Sequence, residues 1–367
     1  CKTMEDIMLN TTSIEAVKRH FDKYFNKIHQ KNAQSSIQIL IDSKKLDFQY
    51  NYSSEDSNQP FHIASIGKMF TATLIMILIE RNSLSLHDPI SNYFTNIELE
   101  NLFIFKDKDY MKEVTVEQLL AHTSGIGDYF EDPVNLGSPM SKLIVSESEK
   151  KWTPYELVEF TRKRQKAAGI PGKVFHYSDT GYILLGLIIE KVSGKPFHEN
   201  LHDEIFTPLG MQDSYMLFYS EPKNPLQKFQ KIWLNGTDVT DFQSLSVDWS
   251  GGGIISTPND LLSFNRAFRE GRLFHEEKIQ FMEKFKHKFR TGIHYGTGLM
   301  EIRFEEFFFL LKGLPRVRGH IGVLSTHLFY EPSTETHIIM NFGSSKLMVQ
   351  SFKVLIEIIR QLKRVKS

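Results

Sequence analysis

Phe61-His62-Ile63-Ala64-Ser65-Ile66-Gly67-Lys68 runs directly into the apolar segment from Met69 to Glu80. Phe70, Leu74, Ile77 and Leu78 recur at helical spacing and no proline or glycine interrupts the segment after Gly67, so a short polar entry leads into a helix. Ser65 is expected at or near the helix N-terminus, with Lys68 one turn later on the same face. The arrangement suits a nucleophile. A serine hydroxyl is inert until a neighbour takes its proton; a lysine kept neutral by partial burial can do this, and the free first-turn N–H groups favour negative charge nearby. The spacing alone also fits an N-cap serine followed by a surface lysine. Ser148/Lys151 and Ser220/Lys223 share it, but the first pair stands in the charged run 146–151 and Pro222 interrupts the second. Only Ser65 opens an apolar helix.

Before this stretch, Thr12-Ser13-Ile14-Glu15 reads as a capping box, followed by an apolar stripe of Ile14, Val17, Phe21, Phe25 and Ile28. Ile37, Ile39 and Ile41 alternate, Asp42 to Lys45 turns, and Phe48, Tyr50 and Tyr52 alternate again, which predicts an antiparallel hairpin. After it the pattern is mainly helical to about residue 270, with short helices over 114–122 and 183–192 and a helix start at Ser256-Thr257-Pro258. Period two then returns, predicting strands over 299–304, 307–311, 323–330 and 337–342, and Met348 to Leu362 reads as a closing amphipathic helix. The fold class expected is therefore α+β: one antiparallel sheet built from both termini, flanked by the terminal helices, with a large helical insertion. Residues 1–60 and 270–367 would form the sheet subdomain and 61–269 the insertion, together one catalytic unit.

The 367 residues are 41% hydrophobic and 24% charged, the composition of a globular protein with a sizeable core. Lys+Arg and Asp+Glu both number 44, so the basic footprint of a nucleic-acid binder is missing. One cysteine excludes an internal disulfide and a cysteine-rich metal site, and no His-Glu-x-x-His spacing occurs, so neither metal nor cofactor is expected. Cys1 fits either a lipidated residue or an accident of where the sequence begins; the helical periodicity starting within a dozen residues favours the accident. No signal peptide or membrane-spanning run is visible.

Two further stretches extend the pattern: Tyr177-Ser178-Asp179 and His320-Ile321-Gly322. With Ser65-Ile66-Gly67-Lys68 they resemble the three motifs of the serine β-lactamase and penicillin-binding-protein superfamily. The branch resembled holds class C β-lactamases, D-alanyl-D-alanine carboxypeptidases, D-aminopeptidases and β-lactamase-fold esterases. Leu119 to Gly125, Ile170-Pro171-Gly172, Pro208 to Met211, Gly251-Gly252-Gly253 and Tyr295 to Gly298 match as flanks, so the resemblance runs from about residue 60 to about 345. Tyr24-Phe25-Asn26 is a decoy that lies ahead of the serine, and His294-Tyr295-Gly296 is another, which overlaps the tyrosine-glycine stretch resembling an earlier strand of the family.

The resemblance implies that Ser65 attacks a carbonyl, that Lys68 and Tyr177 handle its proton, and that the backbone N–H groups of Ser65 and Val323 hold the oxyanion, Val323 by its place on a strand after Gly322. Asp179, His320 and Gly322 would bind substrate. Two positions depart from the commoner pattern. Asp179 stands for asparagine; its carboxylate would hold Lys68 as a cation, shift the base role to Tyr177 and, through that cation, lower the phenol pKa. His320 stands for lysine, and a partly protonated imidazole there would meet a substrate carboxylate with a charge that varies near neutral pH.

The function implied is a serine hydrolase that cleaves an amide, peptide or ester through an acyl-enzyme, carboxypeptidase-like or esterase-like ahead of β-lactam defence. The alternative is a penicillin-binding sensor with little turnover. The partner implied is a small-molecule or peptide substrate, cell-wall peptide and β-lactam included, and the family resemblance favours an extracytoplasmic or membrane-associated place.

Overall fold

The computed structural model describes residues 13–365; Cys1, Thr12 and the other residues outside that range are not described. The first helix, α1 (Ile14–Lys31), is capped by Ser13, whose Oγ accepts from the Ala16 N–H at 3.1 Å, so the cap falls one residue later than the Thr12 box predicts. Its stripe of Val17, Phe21, Phe25 and Ile28 is buried. The hairpin forms as the alternation requires: β1 (Gln38–Ser43) pairs antiparallel with β2 (Phe48–Ser53), Ile39 opposite Tyr52 and Ile41 opposite Tyr50. Phe21 meets the Tyr50 ring at 5.4 Å, and the Tyr50 and Tyr52 hydroxyls donate to Asp22 and Asn26 of α1. The decoy Tyr24-Phe25-Asn26 is therefore a helix-to-sheet contact. Burying a phenylalanine such as Phe21 contributes about 1.5–3 kcal/mol.

Six more strands complete the sheet: β3 (His287–Arg290), β4 (Ile293–Tyr295), β5 (Met300–Ile302), β6 (Val317–Gly322), β7 (Thr326–Glu331) and β8 (Thr336–Asn341). Their order is β3-β4-β5-β6-β7-β8-β1-β2, antiparallel throughout, so the two ends of the chain meet where β8 pairs with β1, Ile39 opposite Met340. β2, at the edge, buries alternate residues; β1, inside, is buried at every position. Side-chain alternation explains this. Ile39, Ile41, Phe329, Ile338 and Met340 pack with α1 and the C-terminal helix α5 (Met348–Leu362), while Leu40, Leu328 and Ile339 face the larger core of the helical region.

In that region α2 (Gly67–Glu80) and α3 (Asp179–Ser193) are buried nearly all round, as central helices must be. Phe70 of α2 stacks on Phe264 of α4 (Pro258–Arg269) at 3.9 Å. Residues 307–311, expected as a strand, instead end a short helix (Phe304–Phe307) and form a 3-10 turn (Phe309–Leu311), with Phe308, Phe309 and Leu310 exposed. The run is apolar without alternation, and such a run does not distinguish strand from other structure. The strand that carries His320 is β6, and Val323 stands in the turn after it, ahead of β7 rather than on a strand.

Candidate active site

The chain reaches Ser65 through a small three-stranded sheet, in which Phe61–His62 pairs with Ile254–Ser256 and that strand with Tyr215–Met216. Ala64 then takes φ 51°, a left-handed conformation sparsely populated by residues other than glycine, and Ala64–Ile66 forms a 3-10 turn that enters α2. This turn presents Ser65 to the cleft and sends Lys68 beneath it. The approach depends on glycine. A Cβ on Gly252 would lie 2.5 Å from the Ala64 carbonyl oxygen and one on Gly322 2.6 Å from the Ala64 Cβ, so two other segments close on the serine turn only where side chains are missing.

Lys68 is wholly buried. Its Nζ donates to Ser65 Oγ at 3.0 Å, to the Gly251 carbonyl at 2.8 Å, and to Asp179 Oδ1 in an ion pair. An ammonium has three protons, and three acceptors take them. Burial works to lower the Lys68 pKa, but the Asp179 carboxylate and the Tyr177 phenol outweigh it and the pKa is raised. Lys68 at rest is therefore an ammonium that donates to Ser65. Asp179 is the first residue of α3, where the helix N-terminus favours a carboxylate, and its N–H donates to Asp128 Oδ1 at 3.0 Å. Asp128, buried, also accepts from the Phe130 and Glu131 N–H groups, and burial and Asp179 push its pKa well up.

Tyr177 faces Ser65 and Lys68. Its ring stacks on Phe289, 4.8 Å away, and meets the tilted ring of His122, 4.3 Å away. Burial pushes its pKa up to about 12 against the lowering effect of the Lys68 charge, so the lowered phenol expected from that charge is not found. His122 Nδ1 accepts from the Ser178 N–H at 3.0 Å, fixing the backbone just after Tyr177, and burial keeps this imidazole neutral. Its position was visible in the sequence only as part of a flank.

Ser65, Tyr177, Asp179, Gly322 and Val323 line one cleft, together with Phe130, Asp248, Phe289 and Arg290, with a free volume of about 90 Å³. His320 is not among them. It is fully buried on β6; Nδ1 meets the Ile321 carbonyl at 2.6 Å, so it carries the proton, and Nε2 accepts from the Tyr295 hydroxyl at 3.0 Å. Burial and the Lys68 charge lower its pKa to about 3. The expected titrating imidazole in reach of a substrate carboxylate is thus replaced by a neutral ring with both nitrogens occupied. Asp248, like Asp128, is marked by no motif; its one signal in the sequence is its place three residues before Gly251.

The beta-lactamase family model matches residues 43–349, and the chain belongs to this family. The putative penicillin-binding protein PbpX of Bacillus subtilis (strain 168) is 27% identical over 228 residues, 60% of this chain and 49% of that protein. Teichoic acid D-alanine hydrolase of Staphylococcus aureus is 24% identical over 267 residues, 69% of this chain and 58% of that protein. The chain therefore spans about half the length of these curated relatives. A solved D-amino acid amidase from Ochrobactrum anthropi SV3, complexed with L-phenylalanine amide, is similar at a TM-score of 0.76 and 24% identity, covering 96% of this chain and 99% of that one. The expected fold class and family both hold. No helix among the described residues is long and apolar enough to cross a membrane.

Proposed function

We propose that this chain is a serine hydrolase that cleaves an amide or ester through an acyl-enzyme on Ser65. The observation that carries the reading is the contact of Ser65 Oγ with a buried, ion-paired Lys68 at the floor of a cleft walled by Tyr177 and Val323. Ser65 Oγ bonds to the substrate carbonyl carbon, and the oxyanion is held by the Ser65 and Val323 backbone N–H groups. With Lys68 kept charged by Asp179, the proton passes to Tyr177 in its phenolate form. Tyr177 then gives it to the departing amine or alkoxide; in the second half it takes a proton from the attacking water and returns it to Ser65 Oγ as the acyl bond breaks and the acid leaves. At neutral pH both Lys68 and Tyr177 hold a proton, so the enzyme acts from a minority form.

The names of the relatives, a D-alanine hydrolase and a D-amino acid amidase, support amide or ester substrates built from amino acids. A carboxypeptidase reading has less support, since buried, neutral His320 offers a substrate carboxylate no charge. The scarcity of the reactive form also favours the second reading, an acylating sensor with little turnover. Stopped-flow kinetics with a p-nitrophenyl ester tests both. A burst of one equivalent followed by steady turnover is expected of the hydrolase, a burst followed by almost none supports the sensor, and no burst and no Ser65 adduct by intact mass overturns the assignment.

A further inference from the structure

Beside the serine, the cleft continues into a narrow recess that shares Ala64, Phe130, Asp248 and Val323 with it. Ile144, Leu245, Val247 and Leu324 make its walls apolar, and its free volume, about 20 Å³, is on the order of what one water or methyl group needs. The site is built rather than incidental. The buried Tyr129 hydroxyl donates to the Val247 carbonyl and so fixes the residue before Asp248. His62, 3% exposed, lines the recess; its Nδ1 accepts the Ala64 N–H at 3.1 Å, leaving the proton on Nε2, which lies 3.3 Å from Asp248 Oδ2 and completes no hydrogen bond.

The charges of the cleft are asymmetric. Asp179 is neutralised by Lys68, and Glu131 lies 3.8 Å from Arg290, which leaves Asp248 as the unbalanced acid among the cleft-lining residues. Burial lowers the His62 pKa to about 4, so that ring brings no charge, and burial together with Asp179 pushes the Asp248 carboxyl up to about 7, which a cation would reverse. A carboxylate at the mouth of a methyl-sized apolar recess, both adjoining the turn that carries the nucleophile, matches one kind of acyl group: a small side chain and a free ammonium on the same carbon.

Resting on the Ser65 reading above, we propose that this recess is the acyl subsite, that Asp248 receives the free α-ammonium of an alanyl ester or amide, and that the apolar walls receive its methyl group. Larger side chains are excluded by volume, and acyl groups lacking the amine leave Asp248 unpaired.

The test compares kcat/KM for alanyl, propionyl and phenylalanyl p-nitrophenyl esters, the chiral ones as both enantiomers, alongside Ser65 labelling by a neutral fluorophosphonate. For the wild-type protein, the better alanyl enantiomer should exceed propionyl by about 10–100-fold, the worth of a charge-assisted hydrogen bond, and should also exceed phenylalanyl. In Asp248→Asn the alanyl-to-propionyl ratio should collapse towards one. Equal wild-type rates on alanyl and propionyl esters would overturn the subsite without reference to any variant. An equal loss on both substrates in Asp248→Asn would also overturn it, because it would make Asp248 a group needed for every acyl chain. Failure of the Ser65 reading looks different: fluorophosphonate leaves Ser65 unmodified and no ester turns over, and the subsite then falls with it.

Discussion

Two basic side chains, Lys68 on α2 and His320 on β6, are wholly buried at this site, and they rest in opposite charge states. Burial acts on both in the same direction, against the charged form. The difference lies in the partners. Lys68 meets a carboxylate, whereas His320 meets a hydroxyl and a carbonyl, which the neutral ring satisfies through one donor and one acceptor. The Lys68 charge itself helps to keep His320 neutral. The site therefore holds its positive charge under Ser65, and the partner rather than the depth of burial decides which base carries it.

The largest effect belongs to Ser65, the proposed nucleophile. Ser65→Ala should reduce kcat by about 10³-fold or more and abolish the acyl adduct; undiminished labelling of the variant would move the chemistry to another serine. Next comes the partner that distinguishes the two bases. Asp179→Asn leaves Lys68 buried without its carboxylate, which should destabilise the fold by about 3–5 kcal/mol in urea unfolding. It should also make Lys68 lose its proton more readily, so the rise of acylation with pH shifts to lower pH; an unmoved profile would show that Asp179 does not set the charge. A third variant acts on the other base. Tyr295→Phe removes the donor to His320 Nε2, with an expected loss of about 1 kcal/mol. His320 should stay neutral down to acidic pH by NMR titration, and a His320 that titrates near neutrality in the wild-type protein would undo the comparison.

The elements that impose a period were legible in the sequence. The α1 stripe, the hairpin 38–53 and the Ser65 helix each repeat apolar residues at their own spacing, and all three formed. The run 307–311 carries no period, so its apolar composition reads as a strand, and β6 gives little strand signal because Gly319 interrupts the Val317–Ile321 face and the other face carries Arg318, His320 and Gly322. The meeting of Ser65 with Lys68 and of Tyr177 and Asp179 in one cleft follows the spacing and the family resemblance. Chemistry set by what folds over a residue does not. His320 looked like a substrate ligand until Tyr295 was seen to occupy its outer nitrogen, and Asp248 has no motif because only the folding of the recess brings it to the serine.

In the proposed mechanism, the charge of Lys68 and the height of the Tyr177 pKa together require that acylation wait for the loss of a proton. The direct measurement is the rate of Ser65 acylation by a neutral ester in the wild-type protein as a function of pH, with the other groups facing Lys68 contributing little: His122 and His320 are held neutral, and Asp248 is ionised above about 7. Because the reactive form has lost a proton from a group whose pKa is pushed up to about 12, the rate should climb about tenfold per pH unit through the alkaline range, without a plateau below about pH 9. A rate that is already level between about pH 7 and pH 9 would mean that a neutral base stands ready beside Ser65, and would contradict a resting Lys68 ammonium.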